Sequence, residues 1–317
     1  MAMSRLFRDV DGGALFPQGS VVCIGAFDGL HLGHRALVRH AVARGRERSL
    51  PAVALSFEPL PREFFSSDLP PPRLTLARGK VQGLCGLGVD GVGLLRFDAK
   101  LSAMGAEDFV RQVLVQRLGA REVWIGPEFR FGHRRGGDLA LLQRLGTEFG
   151  FSAGEIEPVQ LQGERVSSTR IREALRAGDF TDAARLLGRA YSIGGRVVRG
   201  RQLGRTLGFP TANLRFPKTP ALSGIYATRV HGVGERPLAS VSSFGTRPTV
   251  DGVEPLLEAH LFDFDGDLYG RHIEVEFVAK LRDELKFPDL PSLTEQMHRD
   301  AATARRLLSE QELRATA

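Results

Sequence analysis

Apolar residues recur along this chain in two different rhythms, and the rhythm changes near residue 190. From Val21 onward, short apolar runs of strand length (SVVCIGAF, AVALSFEP, GVGLLRF, EVWIGPEF) alternate with segments of helical apolar spacing (ALVRHAVARGRER, EDFVRQVLVQRL). Strands alternating with helices predict βαβ units around a parallel sheet. STRIREALRAGDFTDAARLLG then predicts two short helices broken at Gly178. After Tyr191 the period falls to two. In HIEVEFVAK, Ile273, Val275 and Phe277 share one side while Glu274 and Glu276 share the other. GIYATRVHG, LASVSSF and LLEAHLFDF read as further strands, punctuated at Gly232, Arg236-Pro237 and Asp265-Gly266. Several short strands at regular spacing predict a small antiparallel barrel, and SLTEQMHRDAATARRLLSEQ adds a terminal amphipathic helix. The expected organisation is an α/β domain over residues 1–188 followed by a β domain over residues 189–317, with no long linker.

Length agrees, since 317 residues suit two domains that each bury a core. A chain 42% hydrophobic and 25% charged is neither disordered nor collagen-like. No apolar run approaches the roughly 18 to 20 residues of a membrane span, and the N-terminus has no signal-peptide core. Two cysteines, Cys23 and Cys85, in apolar surroundings make no disulfide framework, so the cytoplasm is the expected compartment. Lys and Arg number 43 against 37 Asp and Glu, a net +6 carried mostly by scattered arginines. That excess suits phosphorylated ligands or a solvated surface. A nucleic-acid-binding barrel would want stacking aromatics on its strands, and the chain has one Trp, in the first domain, and three Tyr. No nucleic acid, membrane or obligate protein partner is expected.

Three motif matches are set aside. Gly86-Leu-Gly88-Val-Asp-Gly91 fits GxGxxG but follows a helix and precedes a strand, the reverse of a dinucleotide fingerprint. Asp263 to Asp267 has a misplaced glycine for a calcium loop and reads as a hairpin turn. No GxxxxGK[ST] occurs, so any ATP site is not of the Walker type.

Chemistry concentrates first at Gly25-Ala-Phe27-Asp28-Gly29-Leu-His31-Leu-Gly33-His34, directly after the first strand. The glycines permit close backbone approach, and the residues that follow open a helix whose first N–H groups are unpaired. Two imidazoles on that turn suit a phosphate, because the helix N-terminus attracts anions and disfavours cations. A metal pair or two surface histidines would look alike in isolation; the glycine-rich strand-to-helix context favours the phosphate. Downstream, Arg165-Val-Ser167-Ser168-Thr169-Arg170-Ile171-Arg172 starts another helix with natural hydroxyl caps. Arg170 and Arg172 oppose the dipole there, a conflict that a bound polyphosphate resolves and that solvation of the two arginines would also ease.

HxGH after the first strand together with SSTxIR on a late helix resembles the HxGH nucleotidyltransferase superfamily, which implies a Rossmann-like domain. Phe57-Glu58-Pro59-Leu60-Pro61-Arg62-Glu63-Phe64-Phe65, Arg73-Leu74-Thr75 with Lys80, and Gly126-Pro-Glu128-Phe129-Arg130-Phe131-Gly132 narrow the likeness. They resemble the adenylyltransferase module of the prokaryotic bifunctional riboflavin kinase/FMN adenylyltransferases. The resemblance implies nucleotide contacts from Gly25, Phe27, Asp28, Gly33, Arg165, Ser168 and Thr169, with His31, His34 and Arg172 catalytic. It also implies flavin contacts from Phe57, Pro59, Pro61, Phe64, Glu128 and Phe129. That family usually carries Asp or Asn where this chain has Glu128.

In the second domain, Gly204 to Asn213 reads unaided as a glycine-interrupted loop and strand. Thr211 and Asn213 bear hard oxygens that suit Mg²⁺ with phosphates, or that satisfy backbone. Glu258 lies out of phase with Leu257 and Leu261, as a solvated strand glutamate would. The series PTAN, GTRPT, LEAH, DLYG and RDELKF resembles the riboflavin kinase module of the same family. It implies Thr211 and Asn213 as Mg-ATP ligands, Gly208 near the phosphates, and Glu258 as the base for the ribityl 5′-hydroxyl. The substrates implied are riboflavin, FMN and ATP, with Mg²⁺ as cofactor and FAD as product.

Overall fold

The computed structural model describes residues 4–66, 70–200, 203–218, 221–249 and 252–316. By its internal contacts the chain divides into one unit of residues 1–71 and 75–168 and another of residues 72–74 and 169–317.

The first unit runs β1 (Arg5–Phe7), β2 (Ser20–Ile24), α1 (Leu32–Arg48), β3 (Ala52–Glu58), α2 (Pro61–Phe64), α3 (Ala77–Gly86), β4 (Gly91–Arg96), α4 (Ala99–Ala103) and α5 (Ala106–Asp108). A π-wound segment, Phe109–Arg117, continues α5; then come β5 (Ala120–Ile125), α6 (Leu139–Phe149), β6 (Ser152–Glu155) and a ribbon of β7 (Gln160–Leu161) with β8 (Glu164–Arg165). The six longer-range strands form one parallel sheet in the order β1-β4-β3-β2-β5-β6. Alternation along β2 explains the layers. Val22 and Ile24 pack with Val110, Val113 and Leu142 on one face, while Val21 and Cys23 pack with Leu37, Val38 and Leu84 on the other. Connections leave β2 toward β3 and β4, then resume on its other side at β5, so β2 and β5 flank the topological switch point where such sheets bind ligands. The GxGxxG stretch is the helix-to-strand turn its order implied: α3 ends at Gly86 and β4 starts at Gly91.

In the second unit, α7 (Ser168–Ala177, its first residue in the first unit) and α8 (Phe180–Leu187) precede β9 (Ser192–Arg196), α9 (Leu203–Thr206) and β10 (Ala212–Arg215). β11 (Gly224–His231), β12 (Leu238–Thr249), β13 (Gly252–Leu261), β14 (His272–Arg282) and α10 (Leu290–Thr316) complete it. The antiparallel order is β10-β13-β12-β11-β14-β9, and a bridge between Val198 and Asn213 joins its two edges into a near-barrel. Ile273, Val275 and Phe277 are buried as the period-two pattern required. Phe180 of α8 stacks on Phe277 and meets Tyr226 edge-on, so this helix packs against buried aromatic residues of the barrel.

One expectation fails here. The Asp263–Asp267 stretch is not a hairpin, because β13 pairs with β12 and β10 while β14 pairs with β11 and β9. The segment is a connection between non-neighbouring strands, pinned by Arg305 of α10, whose guanidinium grips both oxygens of Asp263 and lies over the Phe262 ring.

Candidate functional sites

At the end of β2 the backbone turns sharply. Phe27 and Leu30 are held at φ 50° and 47°, a left-handed strain that non-glycine residues seldom carry. Gly25 has no room for a side chain: a Cβ there would come within 2.9 Å of the Phe27 ring. His31 is the N-cap of α1, and its Nδ1 accepts from the His34 N–H at 3.3 Å. That bond fixes the neutral tautomer, leaving the proton of His31 on Nε2. The two imidazoles stack at 3.7 Å and 17°, and Phe27 meets His34 edge-on at 5.4 Å. Burial, then the nearby Arg165 charge, lowers the His31 pKa to about 4. His34 is held well below its ordinary value by burial, by His31 and by Lys80. Both rings are therefore neutral at pH 7. Parallel stacked rings, one with Nδ1 already engaged, do not converge on a metal, and among the described residues no three acidic, His or Cys side chains gather to hold one.

Neighbouring loops lock this turn. Asp28 is buried; its carboxylate accepts from Thr75 N–H and its carbonyl from the Ser168 hydroxyl, so Ser168, at the start of α7, is fastened to the HxGH loop. Gly33 sits under the His31 ring. Arg165 donates to Glu128 at 2.8 Å and to Pro127 O at 3.2 Å. Glu128, three residues beyond β5, adopts φ 61°; β5 neighbours β2, the strand that leads into the His31 turn. Lys80, fully buried, reaches the Ser56 hydroxyl, which in turn donates to Ala26 O.

A chain of ring contacts borders the same strand ends. Phe64 meets Phe97, Phe97 meets Phe57, Phe57 meets Phe109, Phe109 meets Phe131, and Phe131 stacks on Phe129. Pro59 follows a cis peptide after Glu58, and Pro61 opens α2, which turns Phe64 and the exposed Phe65 onto Phe97. Three of the expected flavin contacts, Phe57, Phe64 and Phe129, thus belong to one aromatic strip.

In the second unit, Arg172 donates from Nε to Pro72 O, and Thr169 is an exposed residue of the first turn of α7. Cross-strand register brings the kinase candidates together: Asn213 of β10 lies directly opposite Glu258 of β13. The Asn213 amide reaches the Thr211 carbonyl at 3.1 Å and hydroxyl at 3.4 Å. Gly200 packs against that amide with no space for a Cβ, and Gly208 turns the chain at φ 82° before Phe209. Thr211, Glu258 and His260 line a cavity of about 360 Å³ together with Gly245, Arg282, Leu293 and Met297. The phase of Glu258 therefore marks a cavity-facing side of β13, rather than a solvated one.

The FAD synthetase family model matches residues 14–170 and the riboflavin kinase family model matches residues 187–308. The bifunctional riboflavin kinase/FMN adenylyltransferase of Escherichia coli K12 is 45% identical over 304 residues, covering 95% of this chain and 97% of its own. This chain belongs to the bifunctional riboflavin kinase/FMN adenylyltransferase family. Its Haemophilus influenzae relative is 40% identical over 302 residues, covering 95% of this chain and 98% of its own. Among solved structures, that of a macrolide-efflux protein from Streptococcus pneumoniae matches with TM-score 0.76 and 27% identity, covering 95% of this chain and 98% of that one. No described helix here is long and apolar enough to cross a membrane. Like its family, the protein phosphorylates riboflavin to FMN and adenylylates FMN to FAD, with the adenylyltransferase segment first.

Several residues beside these candidates carry little or no marking in the sequence. Phe97 and Phe109 join the aromatic strip from elements far along the chain, and no local pattern marks them. The burial of Lys80 was likewise hidden, although its motif was noticed. His260 carried a signal in hindsight, since it shares its strand face with Glu258 two residues earlier.

Proposed function

We propose that the two steps are divided between the segments 1–188 and 189–317, and that the side chains described above carry them. In the first, FMN phosphate attacks the α-phosphorus of ATP and pyrophosphate leaves. The nucleophile is already anionic, so no general base is needed. Neutral His31 offers its Nε2–H to the growing phosphate charge, and a neutral donor costs little at a helix N-terminus where a cation would be disfavoured. Arg165 and Arg172 supply the positive charge, Gly25, Phe27 and Gly33 shape the turn, and Ser168 and Thr169 offer hydroxyls. Phe57, Phe64 and Phe129, with Pro59 and Pro61, are read as the flavin-contacting wall beside Glu128.

In the second segment, Glu258 accepts the proton of the riboflavin 5′-hydroxyl as it attacks the γ-phosphorus of ATP, and ADP leaves. Thr211 would offer Mg²⁺ its hydroxyl and Asn213 its amide oxygen, hard oxygens two positions apart. The amide here turns its nitrogen to Thr211, so it would rotate to present its oxygen, and Gly200 leaves no room beside it for a side chain. Bound there with ATP, the ion would neutralise phosphate charge. Free Cys23 and Cys85 support a reducing compartment, taken as the cytoplasm.

The pairing of Asn213 opposite Glu258 carries this reading, because it sets a carboxylate beside the residues that would hold the ATP-bound metal. The test is a time course of riboflavin, ATP and Mg²⁺ with FMN and FAD resolved separately. Wild type yields FMN, then FAD. An Asn213→Ala variant that still makes FMN at the wild-type rate would refute the kinase assignment.

A further inference from the structure

We propose that His260 is a positioning residue of the kinase step: it ties the strand of the base to the loop of the ATP-metal ligands. The proposal rests on the reading of Glu258 as base and Thr211 with Asn213 as ligands.

His260 Nδ1 lies 2.9 Å from Pro210 O. A carbonyl oxygen only accepts, so Nδ1 carries the proton and the bond defines the tautomer. Pro210 immediately precedes Thr211. Register places Ala212 opposite Ala259 and Asn213 opposite Glu258, so the next pair in line is Thr211 with His260. Two carrier residues on β13 thus face two ligand residues on the facing chain. Ladder bonding ends at Ala212, where β10 begins, and the chain before it is loop. The imidazole supplies a link one residue beyond the ladder, where backbone pairing has stopped.

Packing holds the ring in that role. Phe209, buried beside the loop, meets His260 edge-on at 5.0 Å and His298 of α10 at 4.8 Å. Phe262 also meets His260 edge-on, at 5.7 Å. An imidazole in contact with two aromatic rings, with one N–H committed to the backbone, has little freedom to move. Phosphoryl transfer depends on such spacing, because displacement of a reacting group by about 1 Å can cost about 10²-fold in rate.

Two substitutions separate the N–H from the ring. His260→Asn keeps a donor near the Nδ1 position, whereas His260→Leu keeps bulk and loses the donor. Riboflavin phosphorylation and FMN adenylylation are measured for both in the full chain, with melting temperatures. We expect His260→Leu to lower kinase kcat roughly 10- to 100-fold and raise KM for MgATP. His260→Asn should recover most of both, and adenylylation of supplied FMN should be unchanged in each. Wild-type kinase kinetics in His260→Leu, or equal losses in the two variants, would overturn the proposal. Glu258→Gln run alongside tests the underlying reading separately: if that variant stays active, the base assignment fails whatever His260 does.

Discussion

At the scale of single residues, environment decides what each titratable group can do. Glu258 is a carboxylate in a cavity beside Asn213, so Glu258→Gln should remove the proton acceptor while leaving shape nearly intact. Loss of a base typically costs about 10² to 10⁴ in rate. Riboflavin phosphorylation should therefore collapse while FAD formation from supplied FMN persists; equal loss of both would point to misfolding. His31 makes the complementary case through pH. Its pKa in the folded protein is about 4, below the ordinary 6.5, because burial disfavours the charged ring. As pH falls below about 6.5 the unfolded chain takes up a proton that the folded chain refuses. The stability contribution is thus complete above that value and is lost progressively toward pH 4. Asn is as good a helix cap, so His31→Asn should fold, lose adenylylation, and show a flatter decline of stability in acid. The difference should be on the order of 2 kcal/mol between pH 7 and pH 5, read by denaturant titration. Parallel curves for the two proteins would show that His31 is not held neutral by the fold.

At the scale of elements, legibility followed the range of the forces involved. Strand–helix alternation and period-two burial are local, and they gave the parallel sheet, the buried face of β14 and the paired helices α7 and α8 directly. HxGH was readable because a helix start and a cap are encoded within a few residues. The Asp263–Asp267 turn was misread because Asp-Gly signals a reversal of direction, while the partner of the returning strand is chosen by barrel closure. The aromatic strip was only half visible, since Phe97 and Phe109 meet Phe57 through tertiary packing alone. The second unit's edge poses the same question of range. Composition changes near Gly188, yet Phe180 of α8 is buried against Tyr226 and Phe277. A fragment beginning at Leu187 should keep riboflavin kinase activity but lack those contacts, whereas one beginning at Thr169 retains them. Removing a buried Phe costs about 3 to 5 kcal/mol, so the shorter fragment should melt at a clearly lower temperature. Indistinguishable melting would mean that α8 adds nothing to the barrel.

At the scale of the whole molecule, two chemistries share one chain because the first product is the second substrate. The groups assigned to each step lie far apart in sequence, and each step consumes its own ATP. Glu258, proposed as base, and His31, proposed as donor, accordingly should fail independently. A mixture of two full-length variants tests this without cutting the chain. On the proposed roles, Glu258→Gln should make no FMN but retain adenylylation, and His31→Asn should make FMN but not FAD. Alone, neither should convert riboflavin to FAD. Mixed, they should do so after a lag, because FMN released by one protein must accumulate in solution before the other uses it. Lengthening of that lag as both proteins are diluted would identify free FMN as the intermediate. Failure of the mixture to form FAD, when each variant retains its own half-reaction with supplied substrate, would instead mean that FMN does not leave the molecule that makes it.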